Sequence, residues 1–134
     1  MKLLIDARTR THLTLLHKTL LRLHKVLLDD ERKAYEAVHG TVEGSGTLLN
    51  LVMYDPWFDW LHRISETVVK IDELLEDDEA TFDAASDLLT AIRKLFQTGG
   101  EESPFMAKYK ASLKREPGAV IAHIELQKAL LPDA

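Results

Sequence analysis

The chain has 134 residues, of which 46% are hydrophobic and 29% are charged, with a formal net charge of −5 and no cysteine. This length suits one domain with its own hydrophobic core, and the composition is typical of globular proteins. The lack of cysteine excludes disulfides and thiolate metal sites. The apolar runs are far shorter than the roughly 20 residues that a membrane-spanning helix needs.

The hydrophobic pattern predicts helices along the whole chain. Leucines recur at intervals of three and four residues up to about residue 39, and Gly40 is a typical residue just beyond a helix end. Asp55-Pro56 is typical of a helix start, and no stretch alternates with the period of a strand. We therefore predict an all-α fold. Three long helices at about 7–39, 56–76 and 81–98 form a bundle with two or three short helices at about 47–54, 104–116 and 118–131.

Positive and negative charges are distributed unevenly. Residues 1–28 carry six Lys or Arg and one acid, whereas residues 66–87 carry nine acids and one Lys. A basic helix is able to bind acidic lipid or nucleic acid, but we interpret the two segments as complementary within the fold. The acidic balance argues against a nucleic-acid partner. We predict one domain over 1–134, with no membrane span and, since charges follow Met1–Ile5 at once, a cytoplasmic location.

Three titratable residues lie within the leucine face of the first helix. His17, His24 and Glu31 follow one another at seven-residue intervals, and at 100° per residue all three fall inside the arc of the leucines. Groups placed there need a partner or lose their charge, so they indicate either a buried polar network or a binding site. We predict a network that links Glu31 to Asp72 and Arg93 on other helices.

The alternative is a site for a small ligand or a divalent metal between the helices. Successive members of the series are about 10.5 Å apart along the helix axis, too far for one metal ion, so other helices would have to supply ligands. The candidate metal ligands are His24, Glu31, Asp72 and His123. The candidates for binding a small ligand are His17, His24, Glu31, Tyr35, Asp72, His123 and Trp57.

Two short motifs match the spacing of di-iron bundles. Glu36 and His39, like Asp59 and His62, are three residues apart, which places each pair on one face of a helix. The second pair lies opposite the apolar seam of its helix, however, and the bridging glutamates of such sites have no counterpart here. We interpret His39 and Asp59 as residues that complement helix ends.

Four of the nine aromatic residues lie within seven positions around the Asp55-Pro56 helix start. Trp57 belongs to the apolar seam of the helix that follows, whereas its aromatic neighbours point in other directions. Not all of them can therefore enter the same core, and we expect them to pin the short helix against the long ones. Where part of the cluster is exposed, we predict a partner-binding patch, because exposed aromatic side chains dominate binding hot spots. Its members are Tyr54, Phe58 and Trp60.

Several segments resemble stretches of bacterial all-helical proteins to which no function is attached. The resemblance covers roughly the first three helices and implies a bacterial cytoplasmic protein, without an activity, cofactor or partner. The segments that carry it are Leu23-His24-Lys25, Glu31-Arg32, Tyr35-Glu36, Asp55-Pro56-Trp57-Phe58-Asp59-Trp60-Leu61 and Ile71-Asp72-Glu73.

The sequence favours a binding protein over an enzyme. It contains no phosphate-binding loop, no nucleophile motif and no carboxylate pair that stands out for acid–base chemistry. Our first hypothesis is a small helical interaction module that binds a helical protein, foremost its own copy as a homodimer, through the aromatic patch. The second hypothesis is a bundle that holds a divalent metal or small ligand on interior groups, with His24 and Glu31 as the main contacts.

Overall fold

The computed structural model describes residues 3–131, which form six α-helices and one 3₁₀ helix. The predicted all-α fold is confirmed, and the first helix has the predicted bounds. Most of the other helix ends lie one to three residues from the predicted positions. The elements are α1 (Ala7–His39), α2 (Ser45–Tyr54), the 3₁₀ helix (Pro56–Leu61), α3 (His62–Glu76), α4 (Phe82–Leu95), α5 (Pro104–Arg115) and α6 (Pro117–Ala129).

Side-chain caps account for the starts of three helices. Asp6, Thr81 and Ser103 each accept a hydrogen bond from the backbone N–H three residues later, at 2.8, 3.1 and 3.1 Å. Each bond satisfies one of the N–H groups that a helix leaves unpaired in its first turn. At the other end of α1, Gly40 adopts a φ of 90°, a conformation that side chains disfavour.

The long helix α1 lies at the centre of the fold, with α6 and α3 as its main neighbours. Its 33 residues extend for about 50 Å, so both neighbours pack along its length. Contacts from His12 to Ala129 and from Arg22 to Glu125 show that α6 runs antiparallel to α1. The leucine face of α1 is fully buried at Leu13, Leu16, Leu20, Leu23 and Leu27.

The segment predicted as one helix over 56–76 begins as a 3₁₀ helix, with Asp55 accepting a hydrogen bond from the Trp57 N–H at 2.9 Å. Because a 3₁₀ helix has three residues per turn, residues three apart lie on one line. Phe58 and Leu61 share such a line, and neither has any exposed surface. Trp60 is only 8% exposed. Phe58 and Trp60 both belong to the core against which Trp57 packs, so the expectation that these aromatic residues do not all enter the same core is wrong.

A short antiparallel contact ties the start of the chain to the α3–α4 connection. Leu4 and Thr81 form an isolated bridge, and the Ile5 N–H donates to the Ala80 carbonyl at 3.0 Å. The hydrophobic pattern did not indicate this contact, because a pairing of so few residues has no detectable period.

Candidate functional site

The first member of the polar series on α1, His17, faces α3. Its Nε2 lies 2.8 Å from Asp72 Oδ1, so the structure brings these two predicted residues together. Asp72 is about half exposed, and its carboxylate does not complete an aligned hydrogen bond with Nε2. The two side chains contact each other at the rim of the α1–α3 interface, and Asp72 is the one candidate metal ligand of this pair.

His24, one heptad further along α1, lies near a second histidine at the start of α3. Burial lowers the pKa of His24, and the nearby positive charge of protonated His62 lowers it further. His62 donates its Nε2 proton to the Val52 carbonyl at 2.7 Å, because a carbonyl oxygen can only accept. The histidine near His24 is therefore already used in a hydrogen bond that fixes α2.

Glu31 is part of a buried cluster of charged and polar groups between α1 and α5. Its Oε1 accepts a hydrogen bond from Arg115 Nη2 at 2.7 Å, and Asp30 Oδ2 accepts one from the same nitrogen at 2.6 Å. Ser112 donates to Asp30 Oδ2 at 2.5 Å. Both carboxylates are buried, at 6% exposure for Asp30 and 3% for Glu31. The hydrogen bond to Asp30, followed by that to Glu31, raises the pKa of Arg115.

This cluster is a polar network, as predicted for Glu31, but its predicted partners are wrong. Asp72 pairs with His17 instead, and Arg93 Nε donates to the Leu130 carbonyl at 2.9 Å. Arg115 was missed by the sequence reasoning because it follows the apolar residues of a short helix. One usable signal is the adjacent pair Asp30-Glu31 within the leucine face, since two buried acids require a cation.

His123 on α6 is taken up by a hydrogen bond to Tyr109 on α5. The Tyr109 hydroxyl lies 2.7 Å from His123 Nδ1 and the phenol is fully buried. Burial raises the pKa of Tyr109 and lowers the pKa of His123, so both groups are neutral at pH 7. The hydroxyl therefore donates to Nδ1, and the remaining proton of the imidazole resides on Nε2.

The structure does not assemble the predicted metal site. Within residues 3–131, no three His, Asp or Glu side chains are placed to hold one metal ion. The candidate metal ligands Glu31, Asp72 and His123 each contact a different partner, so the interior set is divided among separate contacts. Glu36, which belongs to one of the two motifs with di-iron spacing, instead accepts a hydrogen bond from the Val42 N–H at 2.7 Å.

The aromatic residues mostly build the core rather than a surface patch. Trp57 packs edge-on against Tyr35, with ring centroids 5.5 Å apart, and is half-buried. The predicted partner-binding role of Phe58 and Trp60 is wrong, because both are buried. Tyr54 is the one member of the predicted patch that reaches the surface, at 74% exposure.

Two helices carry exposed apolar faces. Helix α2 has no charged residue and no buried residue, and its outward side chains include Leu49, Met53 and Tyr54. Helix α6 exposes a second apolar face, which borders a cavity of about 450 Å³ between α1 and α6. None of the predicted ligand-binding residues lines this cavity; it is lined by Arg8, Thr11, His12, Leu15, Lys128, Ala129 and Leu131.

Comparisons with known proteins give no relative from which a function can be transferred. No family model, curated protein or solved structure matches the chain. No helix within residues 3–131 is long and apolar enough to cross a membrane. The candidate site therefore has to be judged on its own chemistry. The predicted ligands Glu31, Asp72 and His123 each have a separate protein partner, whereas the apolar faces of α2 and α6 are exposed, so these faces are the stronger candidates for binding.

Proposed function

We propose that this protein is a small interaction module that associates with a second copy of itself through the outer face of α2. The observation that supports the proposal is the composition of α2 (Ser45–Tyr54), a ten-residue apolar helix without a charged residue and without a buried one. Leu49, Met53 and Tyr54 are 60, 50 and 74% exposed. Exposed apolar faces of this kind mark interaction sites. A cytoplasmic location is part of the proposal and stays a prediction from the sequence.

The face is presented on an anchored helix. Leu51 and Val52 are half-buried and pack against the core, and the Val52 carbonyl accepts the hydrogen bond from His62. Leu49 and Met53, four residues apart, lie one turn from each other on the opposite side of the helix. Because these contacts fix α2 in place, its outer face needs little ordering before it binds.

The absence of charge favours a second copy as the partner. A twofold dimer brings the same patch of both subunits together, so a charged residue in the patch would be repelled by the same residue of the other subunit. The outer face of α2 avoids this repulsion, because the exposed side chains of this helix are all uncharged. Tyr54 adds a large aromatic side chain to this face, and its hydroxyl can form hydrogen bonds with water at the rim of the interface.

The test is sedimentation velocity from micromolar to near-millimolar concentration on the wild-type chain and on Leu49→Glu and Met53→Glu. We expect a concentration-dependent dimer that either variant weakens at least about tenfold, or about 1.4 kcal/mol. Val69→Glu is the matched control, since Val69 is an apolar residue of α3 with 52% exposure. A wild-type monomer at every concentration would refute the proposal, as would an equal loss in the control.

A further inference from the structure

Helix α6 is apolar on two opposite faces, and only one of them is covered. The inward face, which includes Ala119, Ala122 and Leu126, is buried against the core. The outward face carries Ile121 and Ile124, at 62 and 49% exposure. A helix that packs on one side only is expected to be polar on the other. Packing among residues 3–131 therefore leaves about half or more of each of these isoleucines exposed.

The outward face continues into the cavity between α1 and α6. Positions 121, 124, 128 and 131 recur at intervals of three and four, which places them in one row. Leu131, at 64% exposure, and Lys128 line the cavity together with Leu15 of α1, at 48% exposure. We call the α1–α6 groove the surface that joins this open cavity to the outward row of α6, whose Ile121 and Ile124 are exposed but do not line the cavity itself. A groove of this shape accepts a row of side chains from one face of a helix.

The borders of the α1–α6 groove are basic, although the whole chain has a net charge of −5. Lys128 lies in the row itself, and Lys18 follows Leu15 by one turn of α1. Neither lysine forms an ion pair within residues 3–131. Arg22 Nε lies 3.8 Å from Glu125 Oε2 of α6, so this carboxylate already has a cation beside it. Among residues 3–131, the groove thus combines exposed apolar side chains with more cationic than anionic groups.

We propose that the α1–α6 groove binds an acidic amphipathic helix of a partner protein. The apolar face of that helix packs on Ile121, Ile124 and Leu15, and its carboxylates lie toward Lys18 and Lys128. Self-association through this groove is disfavoured, because the lysines of one copy would lie close to the lysines of the other and repel them. An anionic membrane is disfavoured because the residues that line the cavity include no Trp, Tyr or Phe. The inference does not rest on self-association through α2.

The test measures binding of two labelled synthetic helical peptides to the full chain by fluorescence anisotropy. Both peptides have leucine on one face, and the opposite face carries glutamate in one and lysine in the other. We expect the glutamate peptide to bind at least about tenfold more tightly than the lysine peptide, with an affinity that falls as salt rises. Vesicles of anionic phospholipid serve as a third probe and are expected not to bind.

Three variants locate the contact. Ile121→Glu and the double variant Lys18→Glu/Lys128→Glu are each expected to weaken binding of the glutamate peptide at least about tenfold. Val69→Glu on α3 and Met53→Glu on α2 are expected to leave it unchanged, and circular dichroism checks that every variant is folded. The proposal is overturned if neither peptide binds, if both bind equally, if the control variants weaken binding as much, or if only the vesicles bind.

Discussion

Arg115 is the cation on which the two buried carboxylates of the α1–α5 cluster depend, and Arg115→Met tests that dependence. Removing one partner of a buried charge pair costs about 3–5 kcal/mol, because the other charge stays buried and unpaired. The Arg115 side chain is 42% exposed, so water screens part of its interaction with Asp30 and Glu31. We therefore expect the lower end of the range, about 3 kcal/mol of unfolding free energy.

Urea unfolding followed by circular dichroism measures this loss. With a slope of about 2 kcal/mol per molar urea, the midpoint should fall by about 1.5 M. Lys25→Met is the matched control, because Lys25 Nζ lies 3.2 Å from Asp29 Oδ2 but the two side chains are 77 and 53% exposed. For this variant we expect the unfolding free energy to change by less than about 0.5 kcal/mol. Combining Arg115→Met with Asp30→Asn and Glu31→Gln should restore most of the stability, since no buried charge remains. A midpoint equal to that of the control, or a triple variant no better than the single one, would refute the reasoning.

Four further predictions concern His24 and His123, the Tyr109 hydroxyl, the cap of α4 and the Phe58 ring. Burial lowers the pKa values of His24 and His123 in the folded state, so the unfolded chain binds more protons than the folded chain at acidic pH. The urea midpoint should therefore fall as pH drops below about 6.5. A flat profile from pH 7 to 5 would contradict this. Tyr109→Phe removes the donor to His123 and should cost about 1 kcal/mol in urea unfolding. Thr81→Ala removes the cap of α4 and should also cost about 1 kcal/mol, whereas Thr81→Ser should cost less. Phe58→Ala should cost about 3–5 kcal/mol of unfolding free energy, because the ring is fully buried. It should not weaken self-association selectively, as Met53→Glu is expected to do. A selective loss of self-association would show that Phe58 belongs to the interface.

The candidate site was less predictable from the sequence than the fold. Helical period correctly placed Glu31 on the buried face of α1, because that face follows from local geometry alone. The partner of Glu31 depends on which residue of α5 lies opposite, and Arg115 gives no sign of this in its own segment. For the same reason, the prediction paired Glu31 with Arg93, whose Nε bonds to Leu130 instead.

The sequence by itself determined the elements of this protein, because helix caps, glycine ends and leucine spacing act within a few residues. It placed α1 at its observed bounds and identified the interior face of that helix. Tertiary structure decided what no local signal contains. It decided that Phe58 and Trp60 lie in the core, because the 3₁₀ helix that carries them packs against α1 and α5. It also decided that α2 and α6 keep apolar faces in water, because exposure depends on which neighbours arrive and not on the helix itself.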